Sequence, residues 1–236
     1  LIQMIRNFLF SFFFLFGIFL ISIFFIPSLF LPQKIAIYGG KLMGHWSALC
    51  LRIFLSTKIT LKGKENIITD GKFFIASSHQ SMFETFYLQT IFDAPVFILK
   101  KELLKIPIFG WYLRKIGSIS ISRNKITKEN LGFFGQITNL IKNSNRPLII
   151  FPQGTRLLPK DRLPFKKGAS RIYEELKIRC QPIAINSGYS WPKKGKKIPH
   201  LNLTISILSP IDSGMNKNDF LQLLQNRIYS ELDNLN

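Results

Sequence analysis

Between Arg6 and Lys34 the chain carries no charged side chain, and residues 8–31 are almost wholly Phe, Leu and Ile. A helix needs about 20 apolar residues to cross a hydrocarbon core, so this stretch is long enough for a membrane segment. A cleaved secretory signal is the competing reading, but its apolar region runs only about 7 to 15 residues and ends at small residues. This one ends at Pro27-Ser28-Leu29-Phe30-Leu31-Pro32. Gly17, Pro27 and Pro32 interrupt it, and residues 35–55 form a second, weaker apolar run carrying Lys41, His45 and Arg52. One spanning helix and a two-helix hairpin dipping into one leaflet fit equally well. The first residue is Leu1, which leaves the true start of the chain open.

The 236 residues suit one catalytic domain and an appendage, since domains commonly take about 100 to 200 residues. The expected division is an anchor over 1–60 and a domain over 61–236. After Gly63 the pattern changes to short β-rich runs alternating with helical ones, punctuated by Gly, Pro and Ser. Strands are predicted at 72–77, 95–99, 117–121, 147–151, 181–186 and 201–208, most of them apolar enough to be buried on both faces. Helices fit at 82–92, 107–115, 127–142, 167–177 and 216–232; in the last, Phe220, Leu223, Leu224, Ile228 and Leu232 keep a helical repeat. Strand, crossover helix, strand predicts an α/β fold with a mixed, mostly parallel sheet flanked by helices. Ligands then belong at the carboxyl ends of the strands.

The formal net charge of +19 usually suggests nucleic acid. With an apolar N-terminal segment, the anionic membrane surface is the nearer partner. Part of the excess is a general preference for Lys, Asn, Ile and Phe, and no RNA-binding signature, zinc finger or helix-turn-helix spacing supports nucleic acid. Cys50 and Cys180 stand alone and far apart, which excludes a disulfide framework and fits a reducing setting. His45 and His200 are not spaced as metal ligands, so no zinc site is expected.

His79 follows the first predicted strand of the domain, where this architecture exposes a side chain to substrate, and Glu84 lies five positions on. The two meet only if His79 sits in the turn and Glu84 on the helix behind it. A carboxylate so placed fixes the ring tautomer and stabilises the imidazolium that forms when the other nitrogen takes a proton from a hydroxyl. Taken alone, a capping or core histidine is the blander reading. Phe151-Pro152-Gln153-Gly154-Thr155-Arg156 also follows an apolar strand. Its Gly154 lets backbone approach a ligand, and Arg156 can grip a phosphate by a charge-assisted, bidentate contact. Seen alone it is equally an ordinary turn with a solvated arginine. Ser77, Ser78 and Ser81 read as turn and capping residues, Lys100, Lys101, Lys166 and Lys167 as solvated faces, and the basic 191–197 run as a surface loop.

Together the two blocks resemble the His-x4-Asp and Phe-Pro-Glu-Gly-Thr-Arg motifs of the lysophosphatidate acyltransferase (1-acylglycerol-3-phosphate acyltransferase) family. Residues 117–123, Gly-Ser-Ile-Ser-Ile-Ser-Arg, resemble its second block, which ends in an Arg assigned to glycerol-phosphate binding. Residues 181–186, Gln-Pro-Ile-Ala-Ile-Asn, resemble its fourth, a Pro-containing apolar strand near the acyl site. The four blocks stand in the family's order over roughly 70–190. The resemblance implies a glycerol-3-phosphate acyltransferase-like fold and acyl transfer from acyl-CoA or acyl-carrier protein to the sn-2 hydroxyl of lysophosphatidate, giving phosphatidate. It implies His79 as base, Glu84 as its orienter, Arg123 and Arg156 on the acceptor phosphate, and Gln153, Gly154 and Thr155 shaping the loop. The chemistry requires no cofactor and no metal. Size and resemblance imply a bacterial inner membrane, with the catalytic domain on the cytoplasmic face.

Two residues depart from the family pattern. Glu84 stands where the family most often has Asp, so an extra methylene must be absorbed. Gln153 stands where it has Glu, which removes a charge expected beside Arg156 and keeps open another lyso-lipid or glycerol 3-phosphate as acceptor. The rival of a different class is a non-catalytic membrane lipid-binding protein.

Overall fold

The computed structural model describes residues 1–121 and 128–235. Helices α1 (Ile2–Phe24) and α2 (Gln33–Leu55) come first, then β1 (Lys58–Lys62), β2 (Phe73–Ser77), α3 (Phe83–Ile91), β3 (Val96–Lys100), α4 (Phe109–Lys115) and β4 (Ile119–Ile121). There follow α5 (Lys128–Asn143), β5 (Leu148–Ile150), α6 (Gly168–Leu176), β6 (Arg179–Ile185), β7 (Asn202–Ile207) and α7 (Lys217–Asn234).

The seven strands form one sheet in the order β1-β7-β6-β2-β5-β3-β4. Every neighbouring pair is parallel except β6 and β7, which puts β1 and β7 antiparallel to the other five. This is the expected mixed, mostly parallel α/β sheet. All five residues of β2 are buried, as a central strand covered on both faces must be. Alternation along β2 divides the core in two: Phe73 and Ile75 pack with α1, α2 and α3, whereas Phe74 and Ala76 pack with α6 and α7. Gln181, buried within β6, is satisfied at both ends, accepting from Ile68 N and donating to Leu208 O.

β1 is the strand that the sequence reading missed. Its five residues alternate Lys-Ile-Thr-Leu-Lys and occupy the sheet edge, where charge and brevity suit an edge and weaken the apolar signal. β4 begins at Ile119, not 117, because Gly117 adopts φ +78 and Ser118 N still bonds Leu113 O at the end of α4.

α1 and α2 form a hairpin around a 3-10 turn, Ile26–Leu29. Pro27 and Pro32 bracket the break, each lacking the N–H that would continue a helix. The ring of Phe13 stacks on Phe54 at 5.0 Å and Trp46 Nε1 donates to Phe13 O at 3.1 Å, so the two helices run antiparallel. Gly17 makes room for the Trp46 indole, since a Cβ there would lie 2.0 Å from Nε1. A residue that reads as an interruption is therefore a packing site. The hairpin is clasped at both ends: Phe10 and Phe14 meet Trp191 edge-on, each at 4.9 Å, and Tyr112 O–H donates to Ser22 O at 2.6 Å. Its buried side chains belong to the same cluster as those of β2 and α3. α1 is the one helix among the described residues long and apolar enough to cross a membrane.

Candidate active site

β2 ends at Ser77 and α3 begins at Phe83, so residues 78–82 form the turn at the carboxyl edge of the sheet. Ser78 ties the turn to β6: its N donates to Ile183 O, its hydroxyl to Ile185 O, and it accepts from Ile185 N. Glu84, in the first turn of α3, folds its fully buried carboxylate back over the helix N-terminus, where the helix dipole favours an anion. There it accepts from Gln80 N at 3.0 Å, from Ser81 N at 3.1 Å and from the Ser187 hydroxyl. This curl absorbs the extra methylene. His79 Nδ1 faces Glu84 Oε2 at 3.8 Å and has no hydrogen-bond partner among the described residues. That separation is longer than a hydrogen bond. Nε2 is left as the second titratable nitrogen of a side chain that is 14 % exposed and forms part of a cavity wall.

The turn after β5 holds the same histidine from the other side. Phe151 stacks under the imidazole at 4.1 Å and 19°. Gln153 Oε1 accepts from His79 N at 2.6 Å, and Leu157 N donates to His79 O at 2.9 Å. Gln153 is buried and absent from the cavity wall, and its side chain is engaged by the His79 backbone. Burial raises the Tyr229 hydroxyl above its ordinary pKa, and a hydrogen bond from Gln153 opposes that. Gly154 adopts φ +72 in the turn, with its N donating to Phe151 O. Thr155 and Arg156 reach the cavity, and the Arg156 guanidinium has no ion pair or hydrogen bond with a described residue. Arg123 lies outside the described residues.

The cavity has a volume of about 500 Å³, within the range typical of small-molecule sites. Ala36, Gly39, Gly40 and Met43 of α2 form one wall, and Phe109, Tyr112 and Leu113 of α4 another. Away from His79 its walls are mostly apolar, and Lys100, Arg156 and Lys193 supply cations. Lys193 belongs to the basic run read as a plain surface loop. It is indeed exposed, but its ammonium donates to Thr155 Oγ1 at 3.1 Å and Arg156 O at 3.2 Å.

Sequence reasoning did not find Gln80, Ser187, Gly188 and Lys193. Gly188 N donates to Gln80 Oε1, and a Cβ on Gly188 would lie 2.9 Å from Gln80 Cβ, so the segment after β6 is pressed against the histidine turn. The available signal was position: Ser187 directly follows the apolar block at 181–186, at another carboxyl strand end.

A family model described as Acyltransferase matches residues 58–186. A 1-acyl-sn-glycerol-3-phosphate acyltransferase of Pseudomonas aeruginosa is 34 % identical over 146 residues, 61 % of this chain and 55 % of that protein. One of Helicobacter pylori is 35 % identical over 147 residues, 58 % of each. The chain spans little more than half the length of these curated relatives. The crystal structure of a 1-acyl-sn-glycerophosphate acyltransferase from Thermotoga maritima superposes with a TM-score of 0.80 at 21 % identity, covering 98 % of this chain and 97 % of the other, so the folds agree.

Proposed function

We propose, since the chain belongs to the Acyltransferase family, that it moves an acyl chain from a thioester to the sn-2 hydroxyl of lysophosphatidate, giving phosphatidate. One observation carries this reading: an imidazole backed by a buried carboxylate opens into an apolar cavity that also presents Lys100, Arg156 and Lys193. A lipid with one anionic headgroup and one free hydroxyl matches that distribution of charge and apolar surface. The bond from His79 N to the Gln153 side chain supports a positioning role for Gln153 in this reading, with lysophosphatidate kept as the acceptor.

In the proposed reaction His79 Nε2 takes the proton from the acceptor hydroxyl as its oxygen bonds to the thioester carbonyl carbon. Glu84, held by Gln80 N, Ser81 N and Ser187, stabilises the imidazolium across from Nδ1. The tetrahedral intermediate expels the thiolate, and the imidazolium returns the proton to the sulfur. Arg156 holds the headgroup phosphate by charge-assisted hydrogen bonds. The apolar cavity takes an acyl chain and keeps water from the thioester.

The donor is acyl-CoA or acyl-carrier protein, both acidic and suited to a chain of net charge +19. We assign residues 1–60 to a membrane anchor that seats its hairpin in one leaflet, and 61–236 to the catalytic part. Tethers near both ends of α1, at Asn7 to Lys197 and at Ser22 to Tyr112, support a helix lying along the domain over one crossing away from it. The bacterial inner membrane, with the catalytic part on its cytoplasmic face, is the proposed location.

Detergent-purified chain given lysophosphatidate with acyl-CoA or acyl-carrier protein should form phosphatidate, detected by mass spectrometry. With donor alone, the protein mass should stay unchanged, because the histidine acts as base and not as nucleophile. Folded protein that forms no phosphatidate with either donor would overturn the reading.

A further inference from the structure

The segment from Lys101 to Lys115 has two apolar sides. Its inner side, with Leu103, Phe109 and Leu113, faces the cavity. Its outer side exposes Ile106 at 44 % and Trp111 at 50 %, and Leu103 itself remains 37 % exposed. Exposed tryptophan flanked by cations is costly in water and favourable at a lipid headgroup boundary. Residues 100–115 carry five Lys or Arg and one acid, Glu102.

The position of the segment is fixed by the hairpin. Tyr112 O–H donates to Ser22 O, and Gln33 Nε2 donates to Lys115 O at 2.9 Å. Ser22 and Gln33 flank the hairpin turn, whose Phe24 and Phe30 are 78 % and 88 % exposed. Tyr112 also packs in one cluster with Phe25 and Ala36. Wherever the turn enters lipid, α4 lies within about one helix diameter of it, ~10 Å.

We propose that the 101–115 segment is a second membrane contact, which rests its Ile106 and Trp111 face on an anionic phospholipid leaflet beside the hairpin tip. The occupant is lipid and not another protein for two reasons. The segment that bears the patch is tied to the exposed apolar hairpin turn through Tyr112 and Lys115, and its basic flank complements anionic headgroups. The segment then has the leaflet on its outer side and the cavity on its inner side. This inference rests on the leaflet-seated hairpin of the preceding section.

The test uses the full chain in vesicles of phosphatidylcholine and phosphatidylglycerol with brominated acyl chains. Trp46→Phe with Trp191→Phe leaves Trp111 as the single indole. A companion chain with all three tryptophans replaced by Phe and Phe24→Trp reports the hairpin tip. On vesicle binding, both indoles should shift to shorter emission wavelength and be quenched. Quenching at position 24 without quenching at Trp111 overturns the second contact and leaves the hairpin reading standing. Failure of the unsubstituted chain to sediment with vesicles, or no quenching at either position in variants that do sediment, overturns both. Trp111→Ser in the otherwise unchanged chain adds an independent readout. It should slow turnover of vesicle-borne acceptor about tenfold or more while sparing acceptor in detergent micelles, and equal rates in both settings would contradict the proposal.

Discussion

The turn after β2 and the turn after β5 stand side by side at the same edge of the sheet, and they are built in opposite ways. In the first, Ser78, Gln80, Ser81 and Glu84 are all buried, and each has a side-chain oxygen bonded within the protein. In the second, Gly154, Thr155 and Arg156 are only partly buried, and the Arg156 guanidinium remains unspent among the described residues. The rigid turn suits proton transfer, which needs its base held in one orientation before substrate arrives. The open turn suits recognition, which needs donors not already used. The division is incomplete in one respect, because Gln153 and Leu157 of the open turn bond both backbone groups of His79.

Removing the base should have the largest effect. His79→Ala is expected to cut kcat by about 10² to 10⁴, with acceptor KM little changed and the melting temperature preserved. A matching loss in Arg156→Ala would erase the contrast between the turns. Arg156→Ala should instead raise acceptor KM about tenfold to a hundredfold, as expected for losing about 1.5–3 kcal/mol of charged hydrogen bonding. The same variant should treat an acceptor without phosphate as the wild type does.

Ser187→Ala probes what holds the rigid turn. The substitution removes one of three donors to Oε1 of a buried carboxylate, which should lower kcat about tenfold and stability by about 1–3 kcal/mol in urea titration. Ser187→Thr should restore kcat, an outcome that a role in packing alone would not give. Gly154→Ala should cost about 1–2 kcal/mol, because φ +72 is unfavourable for alanine and its Cβ would lie 3.3 Å from Lys166 Cγ. Calorimetry would show this with kcat retained. The smallest effect is expected for Gln153→Glu, whose carboxylate can accept the same His79 N–H. Acceptor KM should stay within about twofold, and a larger change would place residue 153 back beside the substrate.

The rigid turn was the more legible of the two, since a histidine after an apolar strand with a carboxylate on the following helix is a local pattern. Its supports were not. Ser187 is 103 positions from Glu84 and Gln153 is 74 from His79, so only the closed sheet brings them together. Likewise, Gln153 sits next to Gly154 in sequence, yet its side chain turns inward while Arg156 turns to the cavity. The hairpin was legible only as one of two equal alternatives, beside a single spanning helix. α1 is apolar on nearly every face, and what fixes its partner is one glycine opposite one indole, Gly17 against Trp46. β1 was missed because an edge strand with Lys at both ends lacks the continuous apolar run that identified β2 and β5.

The most direct measurement is steady-state phosphatidate formation with acceptor varied at saturating donor, compared among wild type, His79→Ala and Arg156→Ala. The account predicts a split: His79→Ala loses kcat at unchanged acceptor KM, and Arg156→Ala raises acceptor KM at a kcat close to wild type. If His79→Ala retained wild-type kcat, or if Arg156→Ala left acceptor KM unchanged, the division between a catalytic turn and a binding turn would be wrong.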